Sequence, residues 1–407
     1  MAGPLTGYRV LDMSRVLAGP WAGQLLADLG ADVIKVERPK VGDDTRHWGP
    51  PYLKDATGAD TEDAAYFFSA NRGKRSLTVD ITQPEGQDII RKLASKVDVL
   101  IENYKVGGLA KYGLDYSSLE KLNPKLVYCS ITGFGQTGPY AQRPGYDFLI
   151  QGMAGLMSVT GEPDNQNGGG PTKVGVAVTD IFTGLYAANA IQGALLERHH
   201  SGMGQYIDLA LLDVQAAVMA NQASNYLIGG QIPGRLGNAH PNIVPYQAFA
   251  TLDSHVIVAV GNDQQFQRFC KAIGEPKWAD DQRYATNTAR VNNRVTLCGQ
   301  ITKHLKQQTS QYWLSKFEDH AVPCGPINTI DQVFDDPQIQ SRNMVLTMQD
   351  PRAGELKLVA NPINYSRSQI EYHLAPPQLG NQTIEILQEY LEYAETTVKV
   401  LESNDVI

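Results

Sequence analysis

Over its first two hundred residues the chain alternates short apolar segments with helix-periodic ones, and few folds satisfy that pattern. Tyr8–Met13 reads as a strand, Trp21–Leu29 as a helix and Asp32–Glu37 as a second strand. Ser76–Asp80 is a third strand. A helix then enters near Pro84, with Ile89, Leu93 and Val97 on one face at four-residue spacing. Val99–Ile101 and Leu126–Ile131 add two more strands. Strands that alternate with helices predict an α/β fold: a mostly parallel sheet with helices on both faces. Ligands of such sheets lie at the carboxyl ends of the strands.

The pattern changes after Gly229. Gly229-Gly230, Pro233-Gly234 and Gly237-Asn238 punctuate a loop that leads to strand-like Tyr246–Phe249 and His255–Val260, followed by helical patterns to Glu318. The reading is a large domain over 1–225, a smaller one over 226–325, and a segment 326–407 of turns and helix that returns to the large domain. A chain of 407 residues is long enough for two cores.

Composition excludes several functions. A formal charge of −8 without a run of Lys or Arg argues against nucleic acid as partner. Cys129, Cys270, Cys298 and Cys324 form no C-x-x-C pair, so no metal site is expected and a reduced compartment fits. The chain shows neither a signal peptide nor an apolar run of spanning length, so a cytoplasmic protein with no membrane partner is expected. Gly168-Gly169-Gly170 lacks the Lys-Ser/Thr of a phosphate-cradling loop, and H-E-x-x-H and G-x-S-x-G are absent.

The candidate chemistry gathers at strand ends. Ser14–Pro20 joins the first strand to the first helix, a place where N–H groups converge on anions, although an ordinary connection reads the same way. Arg38 follows the second strand, free to stack on a purine, to bind phosphate or to sit in solvent. Arg72, Lys74 and Arg75 cluster just before the third strand. Asn103 and Tyr104 follow the fourth, and Gly107–Lys111 makes the next loop. Asp180 stands alone among the small residues of Val174–Ala188, where a helix begins. A helix N-terminus favours the ionised carboxylate, so a low pKa is expected there. Asp180 either caps that helix or serves as a nucleophile.

Taken in order, Val10-Leu11-Asp12, Ala18-Gly19-Pro20, Gly30–Glu37, Gly42–Arg46, Asn71–Ser76, Glu102-Asn103-Tyr104, Ser130–Gly135, Gly145-Tyr146-Asp147, Gly175 to Gly184 and Pro323–Pro326 resemble the class III CoA-transferases. The resemblance covers nearly the whole chain. It implies an interlocked homodimer in which each chain has a Rossmann-like large domain and a smaller α+β domain. No permanent cofactor is implied, and the substrates are a coenzyme A thioester and a carboxylic acid. Asp180 would be the nucleophile. Arg15, Val16, Ala18, Arg38, Asn103, Tyr104, Gly108, Lys111 and Thr132 match CoA-contacting positions, with Arg72, Lys74 and Arg75 as phosphate neighbours.

Two departures bear on the substrate. The formyl-CoA enzymes carry histidine and glutamine where this chain has Arg15 and Leu17, and their glycine-run lid corresponds to Gly237–Asn242 here. Later motifs, among them Ala239-His240 and Gly261–Phe266, look like the succinate–hydroxymethylglutarate (glutarate) branch, which implies dicarboxylic acids and a succinyl-CoA donor. His240, Arg15 and Tyr146 are then the residues expected to bind the acid. The alternatives are an oxalate-type transferase, a non-catalytic CoA-binding subunit, and an α-methylacyl-CoA racemase. The last would need a histidine where Tyr146 stands.

Overall fold

Consecutive residues of the apolar strands point to opposite faces of one sheet, so each strand needs cover on both sides. The computed structural model describes residues 2–370 and 372–407. Six strands form the sheet: β1 (Arg9–Asp12), β2 (Asp32–Glu37), β3 (Lys74–Thr78), β4 (Val99–Glu102), β5 (Val127–Thr132) and β6 (Tyr206–Ala210). All pair in parallel, in the order β3-β2-β1-β4-β5-β6. This is the doubly wound order of dinucleotide-binding folds, and the order in which strands are added reverses between β1 and β4.

Helices α1 (Ala18–Asp28), α2 (Pro84–Ala94), α3 (Asp147–Met153), α4 (Val178–Ser201), α5 (Thr383–Leu391) and α6 (Glu395–Ser403) supply much of the cover. On one face Val10, Val33, Val99 and Ile101 pack with Ala22 and Leu26 of α1 and with Ala187 and Ile191 of α4. Leu11, Ile34, Leu77 and Leu100 face the other way, onto Ile89 and Leu93 of α2 and Ile386 and Leu387 of α5. The C-terminal helices therefore complete the core begun by the first hundred residues.

Two differences from the sequence reading have physical causes. Strand β3 starts two residues early because Lys74 and Arg75, which look solvated, are buried by carboxylate partners. Strand β6 escapes notice because it is an edge strand with exposed Asp208 in its centre.

By internal contacts the chain divides into two units. One comprises the residues up to Leu156, Val174–Ala223 and Pro337–Ile407; the other comprises Met157–Lys173 and Ser224–Asp336. The second unit is α+β. Its antiparallel strands Tyr246–Ala250, His255–Ala259 and Cys324–Gly325 share a core with helices Asp263–Ala272, Arg294–Leu305 and Ser310–Asp319, built on Phe249, Val258, Phe269, Leu297 and Phe317.

Candidate active site

A doubly wound sheet binds ligands beyond the carboxyl ends of its strands, where the strand order reverses. Here that point lies between the β1–α1 loop and the end of β4. Two cavities open there, both built wholly from the first unit. The first, of about 240 Å³, is lined by Arg15, Val16, Ala18, Asn103, Tyr104, Thr132, Tyr146 and Asp180. The second, of about 360 Å³, is lined by Arg38, Gly108, Lys111 and Val79–Thr82. Arg15, Tyr104 and Lys105 line both, so one groove runs from Asp180 to Arg38 and Lys111.

The β1–α1 loop is held from several sides. Asn103 accepts the Arg15 N–H at 2.9 Å and donates to the Arg15 carbonyl at 2.7 Å. Asp43 accepts the Val16 N–H. The Arg15 guanidinium lies 5.4 Å from the centre of the Tyr104 ring, with an exposed contact to Asp44 at 3.4 Å. Arg38 and Lys111 at the far end of the groove, and Lys105 where the two cavities meet, are exposed and carry no ion pair among the described residues. Unpaired cations beside a half-buried tyrosine and a helix N-terminus suit a ligand with phosphates and a flat ring.

Asp180 sits in the first turn of α4 and caps nothing. The N-cap is Ala177, and the Asp147 carboxylate instead accepts N–H groups of Thr179 at 2.8 Å and Asp180 at 3.3 Å. The Asp180 side chain makes no hydrogen bond or ion pair among the described residues. Burial first, then the neighbouring Asp147 charge, pushes its carboxyl up to about 7. The low pKa expected from a helix N-terminus is therefore overturned: desolvation and a like charge outweigh the helix dipole. A desolvated, unpaired carboxylate that is half ionised near neutrality is a competent nucleophile.

Arg72, Lys74 and Arg75 are not in the groove. Arg72 precedes β3 and Lys74 and Arg75 are its first residues, at the amino end of the strand, and none of the three lines either cavity. Arg72 pairs with Asp28 at 2.6 Å and Lys74 with Asp12 at 2.9 Å, while Arg75 meets Asp32 and Glu389. Their charges are neutralised inside the protein, so the expectation of phosphate neighbours is corrected to an internal ion-pair set. His240 belongs to the second unit. Its Nδ1 accepts the Asn242 N–H at 3.1 Å, which leaves Nε2–H as a donor, and its ring lies 5.3 Å from Tyr246. Burial, with Arg294 nearby, holds this imidazole below its usual pKa.

Two groups in this region carried no sequence signal, and a third carried only a weak one. Arg143 lines the first cavity, lies 4.6 Å from the Tyr140 ring centre and has no carboxylate partner among the described residues. The Tyr66 phenol is pushed up to about 12, by burial and then by the Asp180, Asp147 and Asp43 charges. Asp147 was visible only as part of a motif. None of the three is close in sequence to Asp180, and only the fold joins them to it. Among the described residues no group of His, Cys, Asp or Glu could hold a metal, and no helix is long and apolar enough to cross a membrane.

Comparison with known proteins agrees with this geometry. The profile described as CoA-transferase family III matches residues 5–383. A succinate–glutarate CoA-transferase of Agrobacterium fabrum is 54% identical over 394 residues, covering 97% of this chain and 97% of that one. The human succinyl-CoA:glutarate CoA-transferase is 43% identical over 404 residues, covering 99% and 90%. Among solved structures, a CAIB/BAIF family protein from Brucella suis superposes with a TM-score of 0.83 at 49% identity, over 96% of this chain and 100% of that one. Since the match runs nearly from end to end, this chain belongs to CoA-transferase family III and is a CoA-transferase.

Proposed function

We propose that the protein transfers CoA from succinyl-CoA to glutarate or a similar dicarboxylic acid, through a thioester on Asp180. The relatives of known name support the substrates. What supports the nucleophile is one observation: Asp180 is an unpaired, largely desolvated carboxylate at the inner end of a groove that carries the unpaired cations Lys105, Arg38 and Lys111 along its length.

In this reading a carboxylate oxygen of Asp180 attacks the succinyl thioester carbonyl. The C–S bond breaks, giving a mixed anhydride and CoA thiolate. The thiolate attacks the aspartyl carbonyl of the anhydride and releases succinate, leaving CoA esterified through sulphur to Asp180. Glutarate carboxylate then attacks that aspartyl thioester and displaces the thiolate again. Attack of the thiolate on the glutaryl carbonyl frees Asp180 and forms glutaryl-CoA. No proton is consumed, so the enzyme's task is to hold charge and exclude water.

Arg15, Val16, Ala18, Asn103, Tyr104 and Thr132 would line the pantetheine and thioester end, with Arg38, Gly108 and Lys111 at the nucleotide end. Arg15 and Tyr146, which line the cavity of Asp180, are the proposed contacts of the acid. Arg143 adds a cation to the same wall. The exposed apolar side chains Phe148, Leu185, Tyr186 and Leu196 on α3 and α4 support a homodimer. An α-methylacyl-CoA racemase would exchange its α-proton with deuterated water in the absence of an acceptor acid; a transferase would not.

The test is Asp180→Ala, assayed for glutaryl-CoA formed from succinyl-CoA, with mass detection of a CoA adduct on the wild-type peptide that contains Asp180. The expected loss is at least about a thousandfold. Retention of most of the turnover would end the assignment.

A further inference from the structure

Val16 has φ +72°, a left-handed conformation that a β-branched side chain strongly disfavours. It sits in the β1–α1 loop, lines the cavity that holds Asp180, and precedes Leu17 and Ala18 at the start of α1. Such a conformation persists only where neighbours over-determine it. Here the neighbours are a fully buried ion pair. Lys35 Nζ lies 2.8 Å from Asp43 Oδ2, and both side chains are 0% exposed. Lys35 also donates to the Ser14 carbonyl at 3.1 Å, and both Asp43 oxygens lie 3.2 Å from the Val16 nitrogen. Thr45 holds the same carboxylate through its N–H and hydroxyl. With Asn103 on both polar groups of Arg15, three consecutive residues are fixed from behind.

A buried ion pair seldom stabilises a fold more than apolar side chains of the same size would. This one is spent on two backbone groups of the loop that faces the ligand. We propose that Lys35 and Asp43 are positioning residues: they hold Val16 left-handed, so that the Arg15–Ala18 segment is already shaped for the acyl-CoA before it binds. Without them Val16 relaxes to negative φ and turns the chain entering α1, and the binding-competent loop becomes a minor state whose affinity falls with its population. The inference rests on CoA binding in this groove and not on Asp180 as nucleophile.

The experiment measures the Kd of CoA itself by titration calorimetry, with thermal melts of every variant. Lys35→Met/Asp43→Leu removes the pair without stranding a charge. It is expected to raise Kd about tenfold or more. Adding Val16→Gly to it is expected to bring Kd back to within about threefold of Val16→Gly alone, because glycine takes either sign of φ with similar ease. Asp43→Asn, which is nearly isosteric, offers a second route with the same rescue should the double variant not fold. A purely structural pair would lower the melting temperature, and glycine at 16 would restore neither stability nor Kd. The proposal is overturned if a folded pair-less variant binds CoA like the wild type, or if Val16→Gly leaves its weak binding unchanged. Failure of the aspartyl reading would show separately, as transfer retained by Asp180→Ala while these Kd values stand.

Discussion

Asp180 shows how a single side chain is tuned by its surroundings rather than by its type. Its carboxyl binds a proton more tightly in the folded chain, at about 7, than in the unfolded one, where the ordinary value is 3.8. Its favourable contribution to stability is therefore present below the unfolded value and is lost as pH rises through 7. Asp180→Asn should raise the melting temperature at pH 8, with the gain shrinking toward pH 4; an equal gain at both pH values would contradict the assignment. Activity moves the other way, since attack requires the carboxylate. The pH profile of kcat/KM should show an acid limb near 7. Asp147→Asn, which removes the like charge and keeps an acceptor for the Thr179 N–H, should shift that limb to lower pH. Asp180 could be singled out from sequence because it was the only acid in an apolar, small-residue run. The direction of its pKa could not, because its burial comes only with the fold and Asp147, the second cause, lies 33 positions away and meets it only at the helix start.

At the scale of elements, α1 and α4 each present an N-terminus to the groove, and their packing fixes the distance between Ala18 and Asp180. Gly184 makes that packing possible. A Cβ there would stand 2.7 Å from the Ala18 carbonyl oxygen and 3.0 Å from the Trp21 side chain. Backbone cannot yield cheaply, so Gly184→Ala should cost about 1–3 kcal/mol, read as a lower denaturant midpoint. The loop after β2 and the helical turn after β4 supply the cations. Arg38→Ala and Lys111→Ala should each raise the KM for succinyl-CoA about three- to tenfold with little change in kcat, and the effect should shrink in high salt. A fall in kcat with an unchanged KM would place these side chains elsewhere in the mechanism. The strands and α1 were legible because apolar periodicity is local. Strand β3 was displaced because burial of Lys74 and Arg75 depends on Asp12 and Asp32, which no local pattern reveals.

For the molecule as a whole, the apolar surface on α3 and α4 predicts that light scattering will give twice the 44.5 kDa chain mass, and that Leu185→Glu/Tyr186→Glu will lower it. A wild-type monomer at micromolar concentration would refute the dimer. The sequence by itself determined the α/β class, most of the strands, the helix that begins near Asp180 and the motifs that mark the family, since periodicity and motif order are written along the chain. Only the tertiary structure decided the strand order with its reversal between β1 and β4. It alone placed Arg38 and Lys111 on one groove with Asp180, and it alone turned Arg72, Lys74 and Arg75 inward. The reason is physical: which charge is solvated, which is paired and which is left bare depends on the groups that distant segments bring within a few ångströms, and on the water they displace.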